Sequence, residues 1–121
     1  MFSGVLAFSA LMLPAESIEL PRDTIELRME RFAIPVNVQE NASKQLDGIR
    51  LLVSSDQGKT WKLHMTGPAE SQPIKFVAPR DGLYWFAMQT IDRDGSFSPR
   101  DPQPDLKVYI NTAGRKIKMR D

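Results

Sequence analysis

The chain contains no cysteine, which excludes a disulfide framework, a thiol nucleophile and any cysteine metal site. It has one histidine, His64, with no second histidine to share a metal and no marked serine to make a nucleophilic arrangement. A surface or packing role is the expectation for it. Its seven glycines are isolated, so no phosphate cradle exists. Charge of one sign is also missing: sixteen Lys and Arg stand against fifteen Asp and Glu, a net +1. That balance argues against nucleic acid or an anionic membrane as the partner of the domain as a whole. The longest apolar run, Met1 to Leu13, is too short to span a bilayer, so no stable membrane insertion is expected. No segment carries a helical period, and there are no internal repeats.

What is present fits one domain. A length of 121 residues allows about two-thirds of the unfolded surface to be buried, enough for a core without staples. Residues 1–20 differ from the rest, with no charge before Glu16 and small Ala15 near a cleavage point. This segment reads as the apolar core of a secretory signal, although the basic start is missing. Three explanations stand: a signal truncated by a misplaced initiation codon, a genuine signal with weak features, or an ordered apolar segment. Residues 21–112 form the domain, and 113–121 a basic tail carrying Arg115, Lys116, Lys118 and Arg120. The tail reads as solvated, with a polyanion contact as the sharper alternative.

Within the domain, strands alternate with turns. Ile25, Leu27 and Met29 keep a period of two, and the phase then switches to Phe32, Ile34, Val36 and Val38. A turn or bulge near Glu30–Arg31 explains the switch, because a one-residue slip exchanges faces. Pro35 marks irregularity or an edge. Gln39 to Leu46 is loop-like and holds a formal sequon at Asn41-Ala42-Ser43. Ile49–Ser54, Trp61–Met65, Ile74–Ala78, Leu83–Ile91 and Leu106–Ile110 read as further strands. Seven strands with regular turns predict an all-β, antiparallel, two-sheet sandwich.

Two motifs sharpen this reading. Ser54 to Trp61 reads S-S-D-Q-G-K-T-W and fits S-x-D-x-G-x-T-W, which resembles the Asp-box of sialidase propellers and unrelated β-proteins. Asp56 can accept backbone N–H bonds across a tight turn, Gly58 supplies a positive φ, and Thr60 and Trp61 start the return strand. One copy in a chain this short excludes a propeller, so the resemblance implies a fold determinant and not glycosidase chemistry. Asp81-Gly82-Leu83-Tyr84-Trp85-Phe86 resembles the start of the sixth strand in fibronectin type III and immunoglobulin-like sandwiches. The resemblance implies that Tyr84 turns inward and bonds the preceding corner. It also implies strands A-B-E facing C′-C-F-G.

In that frame Tyr84, Phe86 and Met88 point inward with Ile49, Leu51, Val53, Leu106, Val108 and Ile110. Leu52, Trp85 and Tyr109 then share the outer face as a candidate partner or ligand surface, unless a terminal segment or a neighbouring domain covers them. Asp92-Arg93-Asp94-Gly95-Ser96 reads as a plain turn, because an EF-type calcium loop requires Gly where Phe97 stands and an acid where Gln103 stands. No catalytic residue and no cofactor is expected. The reading is a non-catalytic interaction or spacer module, secreted or on a bacterial cell surface, with a protein or glycan partner. A carbohydrate-binding module using Trp85 and Tyr109 is one alternative. An accessory or sensor ectodomain docked on a catalytic partner is the other.

Overall fold

The structure, a computed structural model, describes residues 18–38 and 45–120. The secretory reading of Met1–Leu13 and the sequon at Asn41 lie outside the described residues. Within them the chain is all-β, without a helix, in an arrangement of several sheets consistent with a β-sandwich. The strands are β1 (Ile18–Leu20), β2 (Thr24–Leu27), β3 (Arg31–Ile34), β4 (Leu46–Ser54), β5 (Lys62–Gly67), β6 (Ile74–Val77), β7 (Gly82–Asp92), β8 (Phe97–Ser98), β9 (Leu106–Ile110) and β10 (Ile117–Met119). Six of them form one sheet in the order β2-β9-β7-β4-β5, with β8 added to β7. β3 pairs with β6, and β1 pairs with β10.

Alternation builds the core as expected. Across β4 and β7, Leu51 stands opposite Met88 and Val53 opposite Phe86; across β7 and β9, Tyr84 stands opposite Val108. These residues pack inward against Ile34, Ile74 and Phe76 of the β3–β6 pair. Phe76 sits at the centre, with the rings of Phe86 at 4.9 Å, Phe32 and Tyr84 each at 5.6 Å and His64 at 5.2 Å. Tilted and edge-on contacts at these distances are the favourable arrangement for aromatic pairs.

Two features depart from the expected layout. The resemblance implies a first strand joined to the second and fifth in an antiparallel sheet, but β2 runs parallel to β9 in the large sheet, with Ile25 opposite Val108. The phase switch near Glu30 is therefore a change of sheet. Leu27 before it and Phe32 after it face the same interior from opposite sides and both pack on the core, whereas Ile25 and Met29, which share the parity of Leu27, are exposed. The backbone crosses at Glu30, whose carbonyl accepts the N–H of Ala78 at 2.8 Å. The second departure is the parallel pair β1–β10, with Glu19 opposite Lys118. It draws into strands Ile18–Leu20, the end of the stretch that reads as a leader or as an ordered apolar segment, and Ile117–Met119, in the stretch that reads as a solvated tail. Asn111 anchors the turn between β9 and β10. It is fully buried, its side-chain amide donates to the Arg115 carbonyl at 2.8 Å, and its oxygen accepts the Arg115 N–H at 2.9 Å.

Candidate functional site

The turn from Ser54 to Trp61 is a closed hydrogen-bond system. Gln57 and Gly58, its central residues, have φ of 61° and 86°, the sign that a tight primed hairpin turn needs at both positions. Only Gly58 is foreseeable from sequence, since Gln57 carries no turn signature. Ser54 Oγ donates to Asp56 Oδ1 at 2.7 Å and accepts the Gly58 N–H at 2.8 Å. Asp56 Oδ1 accepts the Thr60 N–H at 2.9 Å, and Oδ2 accepts the Thr60 hydroxyl at 2.6 Å. The Thr60 hydroxyl, then Ser54 and the Thr60 N–H, pull the Asp56 carboxyl from 3.8 to about 2. Bonds to the charged form favour it, so this carboxylate is held ionised as a turn acceptor.

The other motif closes as the sequence suggested. Gly82 opens β7, and the inward Tyr84 donates its hydroxyl to the Arg80 carbonyl at 2.7 Å. Asp81 reaches across to the turn after β9, accepting from the Thr112 hydroxyl at 2.7 Å and the Ala113 N–H at 3.1 Å. Those bonds, led by Thr112, lower its carboxyl. Asp94 is lowered in the same way, chiefly by the Ser96 hydroxyl at 2.7 Å, within the turn Asp92–Ser96. Asp23 is lowered mainly by its bond to Lys107 Nζ at 2.8 Å.

Leu52, Trp85 and Tyr109 do share the outer face of the large sheet, but that face is not open. Leu52 is 3% exposed and Tyr109 8%. Trp85 is half-buried, with the Lys107 ammonium 4.4 Å from its ring centre on one side. Gly58 of the neighbouring turn lies close enough that a Cβ there would stand 3.1 Å from Trp85 Cζ3 and 3.8 Å from Trp61. The expected surface patch is thus a covered second layer, and the flat ring that sugar stacking would need is already occupied. Further along the same face, over Gln89 and Arg50, lie β8 and the segment after it. Gln89 donates to the carbonyls of Pro99 and Arg100 at 2.9 and 3.3 Å, and Phe97 lies 4.2 Å from the Arg50 guanidinium.

His64 is exposed, with Nε2 3.2 Å from the Lys75 carbonyl and its ring against Phe76. It links the edges of β5 and β6. Among the described residues no group of three or more His, Asp or Glu could hold a metal ion, and no helix is long and apolar enough to cross a membrane. A cleft of about 600 Å³ lies between the inner face of β4 and β7 and the stretch Pro35–Val38. Ile49, Leu51, Met88 and Leu106 line it. At its rim Asp105 accepts the Met88 N–H at 2.7 Å and Thr90 donates to the Ser98 carbonyl at 3.2 Å. Its lining is mainly apolar, and Asp105 and Thr90 are already engaged in these bonds. No protein-family model and no curated protein matches the chain.

Proposed function

We infer that the chain is a non-catalytic interaction or spacer module built on a fibronectin type III- or immunoglobulin-like sandwich, with a secreted or cell-surface setting. One observation carries the reading. Among the described residues, the groups pulled away from their ordinary values are carboxylates driven lower, and each is a turn or strand fastener: Asp23, Asp56, Asp81 and Asp94. A general acid or base working near neutral pH requires the opposite tuning, a carboxyl raised or a base poised near pH 7. The polar chemistry of this chain serves to hold its turns. The Tyr84–Arg80 corner and the Ser54–Trp61 hairpin support the sandwich class and the Asp-box reading as fold determinants. The apolar start, Met1 to Leu13, supports export.

The test is turnover. The full chain is incubated with chromogenic esters, glycosides and phosphate esters, beside the double variant His64→Ala/Asp105→Asn. The expected outcome is no product above buffer for either protein. Product formation by the wild type that disappears in the double variant would overturn the reading.

A further inference from the structure

Charge in this chain is segregated. Four of the sixteen Lys and Arg lie between Arg115 and Arg120, leaving twelve cations against fifteen carboxylates elsewhere. The net +1 is thus a basic segment of +4 set on a remainder of −3. The structure places that segment on a strand. Pairing extends past β10 at both ends, since the Ile18 N–H donates to the Lys116 carbonyl at 2.8 Å and the Arg120 N–H to the Leu20 carbonyl at 2.6 Å. Strand alternation then puts Lys116, Lys118 and Arg120 on one side at successive intervals of about 6.6–6.8 Å. All three are exposed, whereas Ile117 between them is half-buried and Leu20 on β1 is 1% exposed. Glu19, opposite Lys118, is the only acid on that side among the described residues of the ribbon. It contacts Arg120 at 3.4 Å with both side chains more than half exposed, a pair that water and salt weaken. Arg22 shares a shallow depression with Arg120, and the acid there, Asp23, is already held by Lys107.

We propose that the outward side of the β1–β10 ribbon binds a linear anionic polysaccharide, carboxylated or sulfated. A strand holds its cations at a fixed repeat, so a polymer with regularly spaced acidic groups engages several together and releases their counterions. Nucleic acid fits this side less well, because the ribbon offers no aromatic ring on which a base could stack. A membrane surface also fits less well, because Ile117 and Met119 alternate to the opposite side and leave no apolar group to enter the interface. The inference rests on the reading of the chain as an interaction module and gives that module a partner.

The experiment titrates the full chain with fluorescein-labelled heparin, with neutral dextran, single-stranded oligo-dT and phosphatidylglycerol vesicles as comparison arms. The variant Lys116→Gln/Lys118→Gln/Arg120→Gln is set beside Lys59→Gln/Lys62→Gln/Lys75→Gln, which removes the same charge from exposed positions elsewhere. Wild type is expected to bind heparin and not dextran. The ribbon variant should bind at least about tenfold more weakly, with the slope of log affinity against log salt reduced by about two to three. The control variant should stay within about threefold of wild type, the difference expected of diffuse charge alone. Equal losses in the two variants, no heparin binding by wild type, or tighter binding to oligo-dT or vesicles would overturn the proposal. If the ribbon variant melts early, Lys118→Gln alone is used, and binding as tight as wild type then overturns it. Heparin failure without substrate turnover removes only the partner; turnover removes the non-catalytic reading itself.

Discussion

The two faces of the large sheet are both buried, but by different means. On the inner face Leu51, Tyr84, Phe86, Val108 and Ile110 meet a second sheet, and side chains interdigitate around Phe76. On the outer face Leu52, Ala87 and Tyr109 share the space with Ser54, Gln89 and Thr24. Part of the cover there is irregular backbone after β8, held by the Gln89 amide. Two buried polar atoms without a hydrogen-bond partner among the described residues, Arg50 Nε and Gln89 Oε1, belong to outer-face positions. A regular sheet covers another sheet without stranding polar groups. A folded-back segment covers it less completely, and each stranded atom opposes folding. The inner face should therefore dominate stability, and the outer face should be where stability is tuned.

The sharpest way to break this comparison is Phe76→Ala. Removing the ring that contacts both sheets should cost about 3–5 kcal/mol, measured by urea unfolding with an unchanged m-value. A loss no larger than that of Trp85→Ala would mean that the two faces contribute alike. Next in size is Gly58→Ala on the outer side. Its φ of 86° is left-handed, so a side chain there costs about 1–2 kcal/mol, and the new Cβ also presses on Trp85. A double-mutant cycle with Trp85→Ala separates the two terms, because only the clash is relieved when the ring is gone. Full additivity would show that Trp85 does not stand over the turn. A smaller effect is expected at Tyr84→Phe, which keeps the inner packing and removes one hydrogen bond to the Arg80 carbonyl, a change of about 0.5–1.5 kcal/mol. A melting temperature equal to wild type would show that the corner bond is not formed.

The same contrast explains what was legible in the sequence. The inner face could be read because period-two alternation is a local signal: Ile49, Leu51, Tyr84, Phe86, Val108 and Ile110 all point where their parity puts them. Both motifs closed with the bonds their residue types imply. The change of sheet at Glu30 left a visible phase shift, but parity alone cannot distinguish a bulge within one sheet from a crossing between two. Cover of the outer face depends on contacts such as Gln89 to Pro99, ten residues apart in a stretch with no periodicity. The β1–β10 ribbon joins segments nearly a hundred residues apart, each too short to carry a strand pattern alone. What was missed was long-range pairing of short segments. The candidate surface at Leu52, Trp85 and Tyr109 was therefore assigned to the correct side of the sheet and to the wrong degree of exposure.

The finest test of the outer-face turn is its response to acid. The folded-state carboxyl of Asp56 is lowered to about 2 from 3.8, so its contribution is fully present above the unfolded value and is lost as pH falls through the folded one. The variant Asp56→Asn lacks the charge at every pH. The gap in melting temperature between wild type and Asp56→Asn should be constant from about pH 8 to pH 5 and should close between about pH 4 and pH 2. Asp23, Asp81 and Asp94 titrate low as well, but they are present in both proteins and cancel in the difference. Thr60→Val removes the largest cause of the shift, the hydroxyl bond to Oδ2, and should move the closing of the gap to higher pH when paired with its own Asp56→Asn partner. A gap that stays flat down to about pH 2 would mean that the Asp56 charge does not hold this turn, and that backbone geometry at Gln57 and Gly58 suffices without it.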